Sequence, residues 1–473
     1  MKSHSAKKLA WFSSMRYISF TLIVLRGLMV ASILGPAAYG LYAIVIMLQQ
    51  QFSSFGLGVR ESLGVQLANL ETTDKEFSTN VSSSFWFCIL IIILLSLLSW
   101  LTLSIENIYE IKKYNLHIAF QLAGITIGTE ILANITRARG MLTTVMIAEL
   151  SYALISIFAL WFISLSSSAS EPLLYGLLFS HILIFLFYLL VHRDMAFSFF
   201  SFKHLKEQVY LGIPMLIQTT CTTFIYSSGH YFLTLSNSVE QLSIYSFAFS
   251  LAIAAQLGVQ SVMWAQFPAM VSVFGKTDGS NNSKRLIYNF EERVTKLTHG
   301  FFVICLVMMK LILAILISIF FPEFIDSTAV VVIVFMALYW PILAVSEATL
   351  LLARKQFRKL YLASGSAIFF LVLSVLFYSF NYGFQENVSQ SIVAAAMVCF
   401  ANFIFYCLLK FHGGIALGYS VKDILFDILK TIAWVSILMG CYYSNVLIAP
   451  IFLMLVLLLL VLKSNAFKKR VAT

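Results

Sequence analysis

The chain of 473 residues predicts an all-α polytopic membrane protein, and three observations carry that expectation. Hydrophobic residues make up 60% of the chain and charged ones 11%, with mean hydropathy +0.90, whereas soluble domains run near 25% charged. Apolar stretches of about 20 residues, each able to cross about 30 Å of hydrocarbon, recur from end to end. The alternating ten-residue segments that β-barrel strands require are not seen.

Apolar runs set against charged breaks give about 14 transmembrane helices (a range of 12–14). They fall near 11–33, 38–59, 84–105, 116–136, 143–165, 172–192, 209–232, 242–268, 298–320, 328–352, 360–380, 389–410, 430–447 and 449–462. The last two are separated only by Asn445 and Pro450 and can also be read as one re-entrant or tilted pair. The basic N-terminus, with Lys2, Lys7 and Lys8, leads into the first span without a small-residue cleavage site and reads as an uncleaved helix.

Charge between spans supplies the orientation. With the N-terminus inside, 26 of the 31 Lys and Arg residues fall on cytoplasmic segments. Lys112 and Lys113 are the 2 on external loops, and Arg16, Arg26 and Lys310 are the 3 within spans. One missed helix would scramble every later loop, so this asymmetry supports the span count and places both termini in the cytoplasm. The net charge of +10 therefore reflects cytoplasmic loops and does not point to nucleic acid.

Two hydrophilic loops, 60–83 and 269–297, follow the second and eighth spans, and short sequence echoes accompany them. The inferred organisation is two pseudo-symmetric six-helix lobes, 1–208 and 209–415, followed by a C-terminal helix pair and basic tail, 416–473. The six cysteines lie in apolar spans without a CxxC pair and read as small hydrophobes. No ligand cluster suggests a metal, and no glycine-rich GK[ST] loop suggests ATP, so no cofactor is expected.

Around the first two spans the motifs become specific. Arg16 and Arg26 sit in the first span, which turns at Leu34-Gly35-Pro36-Ala37-Ala38-Tyr39-Gly40-Leu41-Tyr42. This run, with Tyr210-Leu211-Gly212-Ile213-Pro214 opening the seventh span, resembles the polysaccharide (O-antigen and oligosaccharide) flippases of the MOP exporter superfamily. Lipid II flippases and multidrug MATE antiporters are related to them. The resemblance spans the whole chain in topology and about 60 residues in motif. It implies a two-lobed transporter that moves an undecaprenyl-diphosphate-linked oligosaccharide from the cytoplasmic to the external leaflet by alternating access. It also implies cavity-lining arginines on the first helix and near the end of the second, which match Arg16, Arg26 and Arg60. The Asp-Arg pair that family members often carry late in the seventh span is replaced here by Gly229-His230.

The residues support this independently. Arg26 lies about 14 residues into its span, about 21 Å deep at 1.5 Å per residue, too far from either interface to snorkel readily. A guanidinium at such depth costs roughly 2.5–3.5 kcal/mol on insertion scales and marks a functional position. Its fork of donors suits a diphosphate; the competing reading is a buried ion pair. Arg16, one turn inside the membrane, either snorkels or borders the same cavity. Arg60 is either a cytoplasmic anchor or part of the entry site. Lys310 near the middle of the ninth span is either cavity-facing or paired between helices. Glu130 is within two turns of Arg137 and reads first as its partner, with proton coupling as the alternative. Glu149 and Glu347 read as structural. His181 and His230 are candidates for coupling, set against ordinary buried packing. Pro214 and Pro341 interrupt their spans and are candidate hinges.

Two other functions follow from the same scaffold or setting. An ion-coupled MATE-like multidrug antiporter would take cationic drugs and need acids at the cavity centre, but the first span holds arginines and no acid. A membrane-embedded polysaccharide polymerase or glycosyltransferase would place its residues on a long external loop, and the external loops here are short, so no enzyme activity is expected. The expected partners are a lipid-linked oligosaccharide, membrane lipids, and a polymerase and chain-length regulator of the same pathway, with no nucleic acid. The expected location is the bacterial cytoplasmic (inner) membrane.

Overall fold

A computed structural model describes residues 6–67, 75–105, 115–164, 169–193, 200–236, 238–256, 281–382 and 389–443. The external lysines 112 and 113, the remainder of the eighth span beyond residue 256 and the final span 449–462 lie outside them. The described elements are helices, with no strand among them. Hydrocarbon offers the backbone no hydrogen-bond partner, and a helix satisfies each amide within its own segment. Ten of these helices are long and apolar enough to cross a membrane.

Two compact units divide the chain, Met1–Ser250 and Leu251–Thr473. These are units of contact, a different division from the pseudo-symmetric lobes expected at 208/209. The first contains α1 (Ala6–Phe52), α2 (Val59–Leu67), α3 (Lys75–Ser104), α4 (Leu116–Ala138), α5 (Leu142–Ser164), α6 (Ser170–Val191) and α7 (Phe202–Leu235). A further helix, α8, covers 239–256 and crosses the unit boundary.

α1 has 47 residues, about 70 Å at 1.5 Å per residue and more than twice the hydrocarbon thickness. It crosses twice because it breaks at Gly35, whose φ of 65° and ψ of 176° are not helical. Only glycine takes such a conformation without strain, and Pro36 then starts the second half with a ring that needs no amide partner. The turn expected at Leu34–Tyr42 is thereby located at one residue. The second half ends in a 3-10 turn, Ser53–Gly56, and left-handed residues at Leu57 (φ 48°) and Gly58 (φ 76°) redirect the chain into α2.

α3 displays the surface logic of a membrane helix. Trp86, Leu90, Ile93, Leu97 and Trp100 form an exposed stripe at helical spacing. The opposite stripe, with Phe77, Val81, Cys88, Ile91 and Leu95, is buried in the core of the unit alongside Ile127, Leu132 and Tyr188. An exposed apolar stripe of that size is suited to lipid and not to water. Polar contacts join α3 to α7: Ser84 donates to Gln208 Oε1 at 2.8 Å, and Gln208 Nε2 donates to the Asn80 carbonyl at 3.0 Å. Such side-chain bonds hold helices together where lipid removes the usual hydrophobic drive.

The second unit contains α9 (Asn281–Met308), a π-helical turn (Met309–Leu313), α10 (Ala314–Phe320), α11 (Ser327–Leu343), α12 (Val345–Ala353), α13 (Phe357–Tyr382), α14 (Gln390–Leu417) and α15 (Val421–Tyr443). α11 is its buried centre. Pro341 lies within α11, and three residues after it Ala344 (φ −96°, ψ 7°) interrupts the helix and α12 begins. Pro214 is accommodated within the continuous α7. α14 runs to Leu417, past the expected end near 410, and this draws Lys410 inside a helix.

Candidate functional site: an arginine held by neutral side chains

The three arginines expected to act together occupy three different electrostatic settings within the first unit. Arg60, at the start of α2, pairs with Glu61 and with Glu130 of α4. The Glu130 carboxylate, more than burial, sets its acidity and pushes its guanidinium above the ordinary arginine range. Asn134 donates to the Arg60 carbonyl at 3.1 Å, and Arg137 donates to Asn134 Oδ1 at 2.6 Å. Glu130 therefore pairs with Arg60 and not with Arg137, its expected partner. The α1–α2 turn brings Arg60 across to α4, so the intrahelical spacing does not decide the pair.

Arg16 lies 3.8 Å from Glu149 of α5, and its guanidinium stands 5.1 Å from the centre of the Phe20 ring. Arg137 is close enough to feel the charges of both Arg16 and Glu149. Glu149, expected to be structural with no partner named, lies beside a first-span arginine.

Arg26 differs. Its Nη1 donates to Tyr152 Oη at 2.8 Å and more weakly to Ser156 Oγ at 3.4 Å. Tyr152 Oη in turn lies 2.9 Å from His181 Nε2 on α6, and the Arg26 guanidinium is 5.6 Å from the centre of the Tyr152 ring. Tyr39 and Tyr42, stacked on the second half of α1 with ring centres 6.3 Å apart, are within electrostatic range. All these partners are neutral phenols, a hydroxyl and an imidazole. Nε is buried without a hydrogen-bond partner, and no carboxylate among the described residues pairs with Arg26.

The local sequence explains the arrangement. Glu149, Tyr152 and Ser156 stand at i, i+3 and i+7 on α5, one polar face on an otherwise apolar helix. Arg16 and Arg26 are ten residues apart, about 15 Å along α1. The lower arginine meets Glu149 and the higher one meets Tyr152 and Ser156, so this part of α1 and α5 run in the same direction. Tyr152 and Ser156 were not among the expected site residues. Their spacing with Glu149 is the signal that could have shown them.

The remaining expected residues lie apart from this cluster. His230 is buried edge-on against Tyr245 and Phe249, at 4.9 and 5.0 Å between ring centres, and its Nδ1 has no hydrogen-bond partner. In the second unit, Lys310 lies in the π-helical turn, donates to the Tyr442 carbonyl at 2.5 Å and approaches the Tyr442 ring at 5.2 Å. The lysine thus ties the π-helical turn to α15 through a main-chain carbonyl. Glu347, 2% exposed, is paired with Lys410 of α14. Among the described residues, no group of three or more His, Cys, Asp or Glu side chains could hold a metal ion.

Fold and surface together define a multi-pass membrane protein built like the transporters of the MOP superfamily. The chain is similar in structure to the lipid II flippase MurJ in an inward closed conformation (16% identity, TM-score 0.59), with 98% of this chain and 100% of that one covered. It is also similar to the MATE multidrug transporter DinF-BH (14% identity, TM-score 0.64, 90% and 98% covered). A MOP superfamily transporter from Pyrococcus furiosus, described as having a binding pocket of reverse polarity, resembles it at 16% identity and TM-score 0.62 over 87% and 96% of the chains. A comparison with curated proteins found no match. The model of the polysaccharide biosynthesis protein family matches residues 29–323, and the chain belongs to that family.

Proposed function

We propose that the chain flips an undecaprenyl-diphosphate-linked oligosaccharide, an O-antigen or other surface polysaccharide repeat unit, from the cytoplasmic to the external leaflet. The observation that carries this reading is Arg26: a guanidinium deep in a spanning helix, held by neutral groups, with an unpartnered buried Nε. Uncompensated charge in hydrocarbon is costly, and an anionic ligand at the site offsets it. A diphosphate headgroup, which cannot cross lipid alone, supplies the complementary charge. Arg16 and Arg60 form the entry side. Arg60, already shared by two carboxylates, contributes less than Arg26, and Lys310, bonded to the Tyr442 carbonyl, acts as a link between helices more than as a ligand group.

The site alternates in access between the leaflets while the polyprenyl tail stays in lipid. Pro214 and Pro341 serve as hinges, and Glu130, His181 and His230 are candidates for coupling. An anion leaving a negative interior gains about 2.3 kcal/mol per charge per 100 mV, so membrane potential drives export. The protein sits in the bacterial inner membrane with both termini cytoplasmic, alongside the polymerase and chain-length regulator of its pathway, and is not itself an enzyme.

No carboxylate among the described residues pairs with Arg26, which weighs against a MATE-like carrier of cationic drugs. Transfer of a lipid-linked oligosaccharide in proteoliposomes tests the reading. Arg26→Ala abolishes transfer and Arg26→Lys retains part of it. Full transfer by Arg26→Ala, or drug efflux that survives it, overturns the proposal.

A further inference from the structure

The contacts of Arg26 extend beyond its own shell in a fixed order. Its Nη1 has no lone pair and can only donate, so Tyr152 Oη is the acceptor at 2.8 Å. The phenol then has one proton to give, and His181 Nε2, at 2.9 Å, is positioned to take it. With the phenol as donor to Nε2, two hydrogen bonds link three helices, α1 to α5 to α6, and the imidazole proton lies on Nδ1. Ser156 adds a weaker contact to the same Nη1 at 3.4 Å. Both hydrogen bonds to the guanidinium thus converge on Nη1, and no described residue bonds Nε or Nη2.

Resting on the reading of Arg26 as the anion site, we propose that Tyr152, oriented by His181, is a positioning residue that holds Nη1 and leaves the Nε–Nη2 edge for the phosphate oxygens of the ligand. That edge offers two parallel N–H donors, the geometry that matches paired oxygens of a phosphate or diphosphate. A guanidinium on a flexible stem would otherwise lose rotamer freedom on binding. Fixing one nitrogen in advance reduces that loss, which is how a neutral phenol strengthens the binding of an anion it does not touch. The imidazole contributes only through the phenol: it accepts the phenolic proton and so turns the lone pairs of Oη towards Arg26. Hydrogen bonds in such chains also polarise one another. Both effects predict that the two residues act as a unit.

Binding of inorganic pyrophosphate to the full chain in lipid nanodiscs, measured calorimetrically at fixed pH and salt, tests the proposal. Arg26→Ala removes binding. Tyr152→Phe weakens it about tenfold, the scale of one lost hydrogen bond to a charged group. His181→Leu weakens it in the same direction, and the double variant is no weaker than Tyr152→Phe alone, because one chain is broken only once. His181→Gln, whose amide oxygen can still accept the phenolic proton, binds close to wild type. If wild type does not bind, or Arg26→Ala binds like wild type, the anion site itself is overturned and this inference with it. If Arg26→Ala abolishes binding while Tyr152→Phe retains wild-type affinity, the positioning role alone is overturned. It is overturned equally if the losses of Tyr152→Phe and His181→Leu multiply in the double variant. Should His181→Leu not fold, the contrast between Tyr152→Phe and His181→Gln decides: equal affinities overturn the proposal.

Discussion

Gly58 and Gly212 meet backbone to backbone. A Cβ placed on Gly58 would fall 2.3 Å from the Gly212 carbonyl carbon, and one on Gly212 would fall 2.1 Å from the Gly58 carbonyl oxygen. This contact seats the start of α2, and with it Arg60, against α7 two residues before Pro214. Neither backbone can retreat as a flexible side chain would, so even a methyl group must push the helices apart.

Gly212→Ala therefore lowers stability by about 1–3 kcal/mol or more, the range for overpacking a tight contact. Gly58→Ala costs about 1 kcal/mol further through its left-handed backbone. Gly27→Ala, where nothing lies within 4 Å, is the control and stays near wild type. Thermal melts of the purified proteins measure this; a Gly212→Ala melt no lower than that of Gly27→Ala would refute the tight packing.

The Glu347–Lys410 pair, 2% and 12% exposed at its two side chains, behaves as a unit. Lys410→Met takes the ammonium from a buried carboxylate and costs about 3–5 kcal/mol. Adding Glu347→Gln recovers much of that loss, since the buried negative charge is then gone. A double variant less stable than Lys410→Met would count against the pair.

Arg60 gives a smaller effect. Its side chain is 27% exposed and that of Glu130 is 41% exposed, so Glu130→Gln costs no more than about 1 kcal/mol, as for other partly solvated pairs. The cost vanishes in an Arg60→Gln background. Stability losses that simply add between the two variants would show that they do not interact.

Lys310 separates a structural role from a ligand role. Lys310→Met lowers the melting temperature by the equivalent of about 1 kcal/mol, through the lost bond to the Tyr442 carbonyl, and leaves pyrophosphate affinity unchanged. Unchanged stability with lost affinity would instead assign Lys310 to the substrate.

Much of this was legible before any coordinates. The apolar runs marked the helices, and the run around Gly35-Pro36 marked the turn. What could not be read was the partner of each charge. The i, i+7 spacing pointed Glu130 to Arg137, yet the turn at Leu57–Gly58 delivers Arg60 to it. Lys410 was counted with the cytoplasmic loops, yet α14 continues past it and buries it against Glu347. Lys310 had no acid in its own helix, and its partner is a main-chain carbonyl that no side-chain pattern records.

Sequence alone determined the class of the protein, because insertion into hydrocarbon depends on the summed hydropathy of each local segment and backbone satisfaction then dictates helices. It also pointed to a charge, Arg26, inside an apolar span. Only tertiary structure decided what surrounds that charge. A helix apolar on every side carries little amphipathic asymmetry to show which face turns inward. The meeting of Arg26 with Tyr152, 126 residues away, is therefore set by how α1 and α5 pack: local spacing shows a polar face on α5 but not which helix it meets.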